Sequence, residues 1–368
     1  MMSARRARPK QCADLLAALV GGALLAATVP APSGAQGMTP SLAQFVRDSI
    51  GLTANELGDV TGGKPVVKAL ESPDRLEIAV FGMVSIGVPR SFYISRAANF
   101  PLALRDPSRL QFAVFSNPAV PSDVSGFSLP HADVQDLASC HFGACRLKLS
   151  AEVIVRVRAD INLNSPSADS VANAYFRGRM VEYVTAYRAQ GDSALIVYSD
   201  SPSRAAAAQV FDAMLSHSPY LYQYAPSLER YLKNYPNDRP TDVAEALFWS
   251  QDDLPGLKPT LTITHEVVYA PPERPGTSLI ALKLLYADHF LDGALELRAV
   301  VDQVGTGAGN PAGIYLVVVR RLHFDDLSGP FNVRGKVIGA VRNRLQTFLR
   351  DAKTASEQAY ASAPAAPH

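Results

Sequence analysis

Between Thr260 and Phe324 four apolar segments follow one another with only short connections: "TLTITHEVVYA", "TSLIALKLLYA", "GALELRAVVDQV" and "GIYLVVVRRLHF". Apolar side chains recur at every second position in each, the period of a pleated strand. Consecutive strands joined this briefly pair antiparallel, as a meander. After Gly329-Pro330 the period becomes that of a helix, with Val333, Val337, Val341, Leu345, Phe348 and Ala352 on one stripe. That stripe must lie on another element, and the preceding sheet is nearest. Arg334, Lys336, Arg342, Arg344, Arg350 and Lys353 point in several directions around the same helix and read as solvated faces.

The rest of the chain fits around this frame. Leu76, Ile78, Val80, Val84, Ile86 and Val88 share one face of a further strand, interrupted only by Gly82, and another apolar run spans Leu110 to Ser116. Residues 36–70 read as a helical segment, with one short helix from about Leu42 to Ile50 and a second near Ala54 to Leu57. In the middle, Phe176, Met180, Tyr183, Val184 and Tyr187 form a helical stripe that ends at Gly191. "SALIVYSD" predicts a short strand and "SRAAAAQVFDAMLSH" a second helix; Tyr220, Tyr222, Tyr224, Tyr231 and Tyr235 form an aromatic segment. The expected fold class is α+β: a curved antiparallel sheet gripping a long C-terminal helix, one domain over 71–355 with a helical insertion at about 165–250. The Ala-, Pro- and Ser-rich residues 356–368 read as a disordered tail.

The first residues carry Arg5, Arg6, Arg8 and Lys10 ahead of an apolar run from Leu15 to Val29, followed by Ser33, Gly34 and Ala35. These are the three regions of a secretory signal peptide, with cleavage expected near Ala35 and residues 1–35 removed. The run falls short of the ~20 residues needed to span a hydrocarbon core, and no transmembrane segment is expected in the mature chain. Losing four basic residues and Asp14 changes the formal charge from +1 to about −2. A near-neutral chain has no general attraction for phosphates, so nucleic acid is not an expected partner. The expected location is periplasmic or secreted. Of three cysteines, Cys12 lies in the leader, so only Cys140 and Cys145 remain, in "SCHFGACR". An oxidising compartment favours joining them. A c-type haem signature would need a cysteine where Leu137 stands, and a zinc clip needs a second ligand pair that is not nearby. No metal and no cofactor is expected.

Catalytic motifs fail on context. Ser193 of "GDSALIV" precedes a predicted strand instead of following one, "VGTGAGNPAG" joins two strands and opens no helix, and there is no G-x-S-x-G, H-E-x-x-H or P-loop. His265 and Glu266 project to opposite faces of a strand. Polar residues in phase with apolar ones are more informative. His265 shares a face with Leu261, Ile263, Val267 and Tyr269; Lys283 alternates with Leu279, Ala281 and Leu285; Arg320 alternates with Leu316, Val318 and Leu322. A polar head on an aliphatic sheet face costs several kcal/mol unless it is paired or meets water or ligand. Carboxylates such as Glu296, Asp288 or Asp292 can pair with these groups. Alternatively His265, Lys283 and Arg320 anchor a ligand, with His289 (beside Asp292) and Trp249 (ahead of Asp252 and Asp253) at the rim. No catalytic residue is assigned.

The strand ending in "GVPRSFYI", the closing meander and the terminal amphipathic helix resemble the helix-grip layout of START-type and polyketide-cyclase-like proteins. That resemblance implies an apolar cavity between sheet and helix. Over nearly the whole mature chain, "CHFGACRLKLS", "YRAQGDSALIVYSD", "PSLERYLKNYP", "LKPTLTITHEVVY" and "LKLLYADHF" resemble a group of exported bacterial proteins of uncharacterised activity, which implies export and nothing about chemistry. The expected function is binding of a hydrophobic or amphipathic, lipid-like small molecule in a sheet–helix cavity, without catalysis. An envelope hydrolase and a structural or interaction protein of the envelope are the alternatives, and the sequence names no protein partner.

Overall fold

A computed structural model describes residues 37–100, 109–253, 258–304, 313–328 and 332–363. Residues 1–36, which include the expected leader, most of the glycine-rich segment after Val304 and the last five residues lie outside them. The frame is one sheet of eight strands: β1 (Val66–Leu70), β2 (Glu77–Ile86), β3 (Arg109–Val114), β4 (Val243–Asp252), β5 (Thr260–Tyr269), β6 (Thr277–Ala287), β7 (Leu291–Asp302) and β8 (Ile314–Phe324). Their spatial order is β1-β2-β8-β7-β6-β5-β4-β3, and each neighbouring pair is antiparallel. The expected meander is β5 to β8, and β2 closes onto β8 from Glu77↔His323 to Ile86↔Ile314. The α+β reading, a curved antiparallel sheet with a long terminal helix and helices in the middle, holds.

Before β1 come α1 (Pro40–Gln44), a π-helical turn over Phe45–Ser49 and α2 (Ala54–Thr61). Thr53 and Glu56 form a capping box at the start of α2, with Glu56 Oε2 2.7 Å from the Thr53 amide. Helix α3 (Arg90–Ala97) follows β2. Between β3 and β4 lie α4 (His131–Leu137), α5 (Ala151–Asp160), α6 (Ala168–Gln190), α7 (Ala207–Ser216), α8 (Pro219–Tyr224) and α9 (Pro226–Asn234), and the chain closes with α10 (Val333–Ala361).

The period-two alternation in the strands sends side chains to two helical layers. On one face Ile78, Val80, Val84, Leu316 and Val318 meet Leu345 and Leu349 of α10. Gly82 is the gap in that row for a steric reason: a Cβ there would lie 2.7 Å from Leu349 Cδ1 and 2.9 Å from Leu345 Cδ2. The other face splits in two. Leu247, Trp249, Leu261, Ile263, Val267 and Leu285 bury against α6, α7 and α9, and Phe81, Met83, Val317 and Val319 bury against the segment around α1 and α2.

Four expectations need correction. Residues 36–70 are not wholly helical: β-branched Val66 and Val67 open β1, which pairs with β2. "SALIVYSD" is not a strand but a 3-10 turn (Gly191–Ala194) followed by isolated bridges Ser150↔Tyr198 and Val197↔Ala206. Helices begin at α4, well ahead of 165, and the block ends before 250 because β4 pairs with β5 along its length. Finally, α10 includes 356–361. Its last turns are held by buried Ser356, by Glu357 accepting from the Gly87 amide at 2.8 Å, and by Tyr360 edge-on to Phe92 at 5.0 Å.

Candidate functional site

His265 and Lys283 stand directly across from each other on β5 and β6, facing α6 and α9. Tyr187 of α6 lies 3.1 Å from His265 Nδ1, and His265 Nε2 lies 3.3 Å from Glu245 Oε2 on β4. A carboxylate only accepts, so Nε2 carries a proton. Burial pushes the imidazole pKa down against the pull of Glu245, which favours the neutral ring, with Nδ1 accepting from the Tyr187 hydroxyl. Glu245 also accepts from Tyr231 and, at 2.7 Å, from Arg239. Lys283 reaches Asp192 in the turn after α6 and the Leu232 carbonyl at 3.3 Å, and lies 3.7 Å over the Phe211 ring. Burial pushes its ammonium down to about 8, with Asp192 resisting. None of these residues has a buried side-chain nitrogen or oxygen left without a partner. The cluster ties α6 and α9 to the sheet and leaves no buried polar atom free for a ligand.

Arg320 does not join them. It lies on the opposite face, on β8 directly across from Glu296 of β7, which also takes Arg298 Nε at 2.5 Å. Burial alone would raise the Glu296 carboxyl, but the Arg298 and Arg320 guanidinium groups hold it down to about 2. Trp249 is buried, with its indole N–H 2.9 Å from the Asp123 carbonyl oxygen and Phe127 edge-on at 5.8 Å. His289 sits in the β6–β7 turn beside Asp133 of α4 and does not pair with Asp292. Asp292 accepts from Lys148 at 2.7 Å and lies 3.2 Å from His323 Nδ1. Cys140 and Cys145 are joined as a disulfide.

The polar heads of Arg320, Lys283 and His265 on aliphatic sheet faces are therefore met by internal partners. Glu296 was legible as a partner because it lies one strand away. Asp192 and Tyr187 were not, since they arrive from the helical block and no spacing encodes them.

An apolar cavity of about 130 Å³ lies elsewhere, on the sheet face away from α10. Its floor is Leu279 of β6, Leu297 and Ala299 of β7, and Val317 and Val319 of β8; its walls are Leu42 and Phe45 on one side and Tyr220, Tyr224 and Leu228 on the other. Phe45 is edge-on to both Tyr220 at 5.7 Å and Tyr224 at 5.9 Å. The mouth is polar: Thr39, Ser41 and Arg274, whose guanidinium lies 4.9 Å over the Tyr224 ring. Sequence reasoning identified the tyrosine segment but not Arg274, which sits in the β5–β6 connection with no periodicity to mark it. No helix among the described residues is long and apolar enough to cross a membrane. No protein-family model and no curated protein matches the chain.

Proposed function

We propose that the chain is an exported binding protein that takes one small amphipathic molecule into the cavity floored by β6, β7 and β8. The observation that carries this reading is the pairing of an apolar interior with the Arg274 guanidinium at its rim. Small-molecule sites are built from mostly apolar walls and a few placed polar groups. A cavity of about 130 Å³ is close to the engineered apolar void of about 150 Å³ that stays dry and takes up benzene. The apolar part of the ligand is thus one ring or a short alkyl segment, and a longer lipid chain would leave the rest of its length at the mouth. Arg274 favours a carboxylate or another anionic head. The disulfide supports an oxidising, exported compartment, as does the leader pattern.

The hydrolase alternative gains nothing from the histidines. His265, His289 and His323 each have a carboxylate beside them, yet none has a serine hydroxyl as hydrogen-bond partner among the described residues. Native mass spectrometry and solvent extraction of protein purified from its own host test the binding reading. A stoichiometric amphipathic molecule that is absent from Ala299→Ile supports it. Protein that carries no molecule, or the same one in both forms, sinks it.

A further inference from the structure

Asp133, Asp288 and His289 lie together in the interior, where α4 meets the β6–β7 turn. One carboxylate oxygen from each aspartate and a ring nitrogen of the histidine all lie within 4.8 Å of one another. The three residues are 1%, 1% and 3% exposed.

Each is oriented by a partner behind it. His289 Nδ1 is 3.2 Å from the Arg146 carbonyl oxygen, which only accepts, so Nδ1 carries a proton and Nε2 faces inward. Asp133 Oδ1 is held by Lys258 at 2.6 Å, leaving Oδ2 toward His289 Nε2 at 3.3 Å. Asp288 Oδ1 accepts from the Leu261 amide at 2.9 Å, while its Oδ2 is buried with no hydrogen-bond partner.

Two features of this arrangement require something more. A neutral imidazole with its proton on Nδ1 would place a lone pair against a carboxylate oxygen. A second proton on the ring would cure that contact but would still leave Asp288 Oδ2 orphaned, and a buried unsatisfied carboxylate oxygen is costly. A divalent cation held by one oxygen of each aspartate and by His289 Nε2 would meet both needs at once.

The geometry points to a metal site formed by Asp133 Oδ2, Asp288 Oδ2 and His289 Nε2, taking a borderline divalent ion, Zn²⁺ being the best match. Ligand atoms about 2.0 Å from a tetrahedral ion stand about 3.3 Å apart, close to the Asp133–His289 separation. One imidazole and two carboxylates suit Zn²⁺ or its neighbours in the first transition row better than a soft thiophilic ion. The Arg146 carbonyl, the Lys258 ammonium and the Leu261 amide serve as the outer shell that orients such ligands. Three protein ligands leave a fourth position for water.

The test uses the full mature chain, stripped with EDTA and titrated with Zn²⁺ by calorimetry and with Co²⁺ by visible absorption. One Zn²⁺ per chain is expected, with Co²⁺ ligand-field bands. Asp288→Asn keeps the oxygen that meets Leu261 and should weaken Zn²⁺ by at least ~100-fold, the upper end of what losing an outer-shell partner costs. His289→Gln should do the same, and carries the comparison if Asp288→Asn fails to fold. Exposed His131 and His141 are the alternative source of binding, so their double Gln variant should bind as the parent does. No binding by the parent chain, or binding that survives the Asp288 and His289 substitutions and disappears with His131 and His141, overturns the proposal.

Discussion

Replacing Glu296 by Gln should destabilise the protein by about 3 kcal/mol at neutral pH, and most of that loss should disappear in acid. Glu296 is buried on β7 and meets the guanidinium groups of both Arg298 and Arg320. Burial opposes its charge, but the two arginines hold its carboxyl at about 2 instead of the ordinary 4.5. At about 1.4 kcal/mol per pH unit, that difference corresponds to about 3 kcal/mol. The native carboxyl is depressed, so between pH 4.5 and 2 the unfolded chain binds the extra proton. The contribution is complete above 4.5, falls to less than half near pH 3, and is nearly gone at 2. Urea unfolding followed by the fluorescence of the single tryptophan, Trp249, measures it in parent and variant at pH 7, 5, 4 and 3. The difference in stability should narrow steadily below 4.5. A difference of under about 1 kcal/mol at pH 7, or one equally large at pH 3, would refute the pairing as the source of the low pKa.

Two further outcomes follow from packing and from the disulfide. Gly82→Ala pushes a methyl against Leu345 and Leu349 of α10 and should cost about 1–3 kcal/mol in urea unfolding; unchanged or increased stability would show that α10 yields freely. Cys140→Ser with Cys145→Ser opens a small loop beside α4 and should lower stability by about 2 kcal/mol while leaving the far-ultraviolet circular dichroism intact, so loss of the folded spectrum would contradict the local role assigned to it.

The sheet was legible because β5 to β8 alternate cleanly and their connections are short, so pairing follows from order alone. The gap at Gly82 was visible in an otherwise regular row, but its cause, the close approach of Leu345 and Leu349, came only with the structure. What spacing did not reveal is the layer between β3 and β4, whose helices and turns carry Asp133, Tyr187 and Asp192 to residues of the sheet and of its β6–β7 turn, 78 to 156 positions away. Periodicity identifies which face of a strand a residue occupies; it does not identify what comes down on that face. The reading of His265, Lys283 and Arg320 as one constellation fails for a related reason. All three are in phase with apolar neighbours, but phase within a strand says nothing of which side of the sheet that strand presents, and Arg320 faces the other layer. The cavity lies opposite α10 because Leu345 and Leu349 fill the space over β2 and β8, whereas the small side chain of Ala299 and the short α1 and α8 leave room on the other side.

The most direct measurement is a calorimetric titration of the protein with straight-chain carboxylates of increasing length. Saturable one-to-one binding is expected, strengthening by about 0.8 kcal/mol per methylene until the cavity is full and levelling off beyond that. It should be weakened by Arg274→Gln and abolished by Ala299→Ile. No saturable binding at any length, or binding indifferent to Ala299→Ile, would contradict the account.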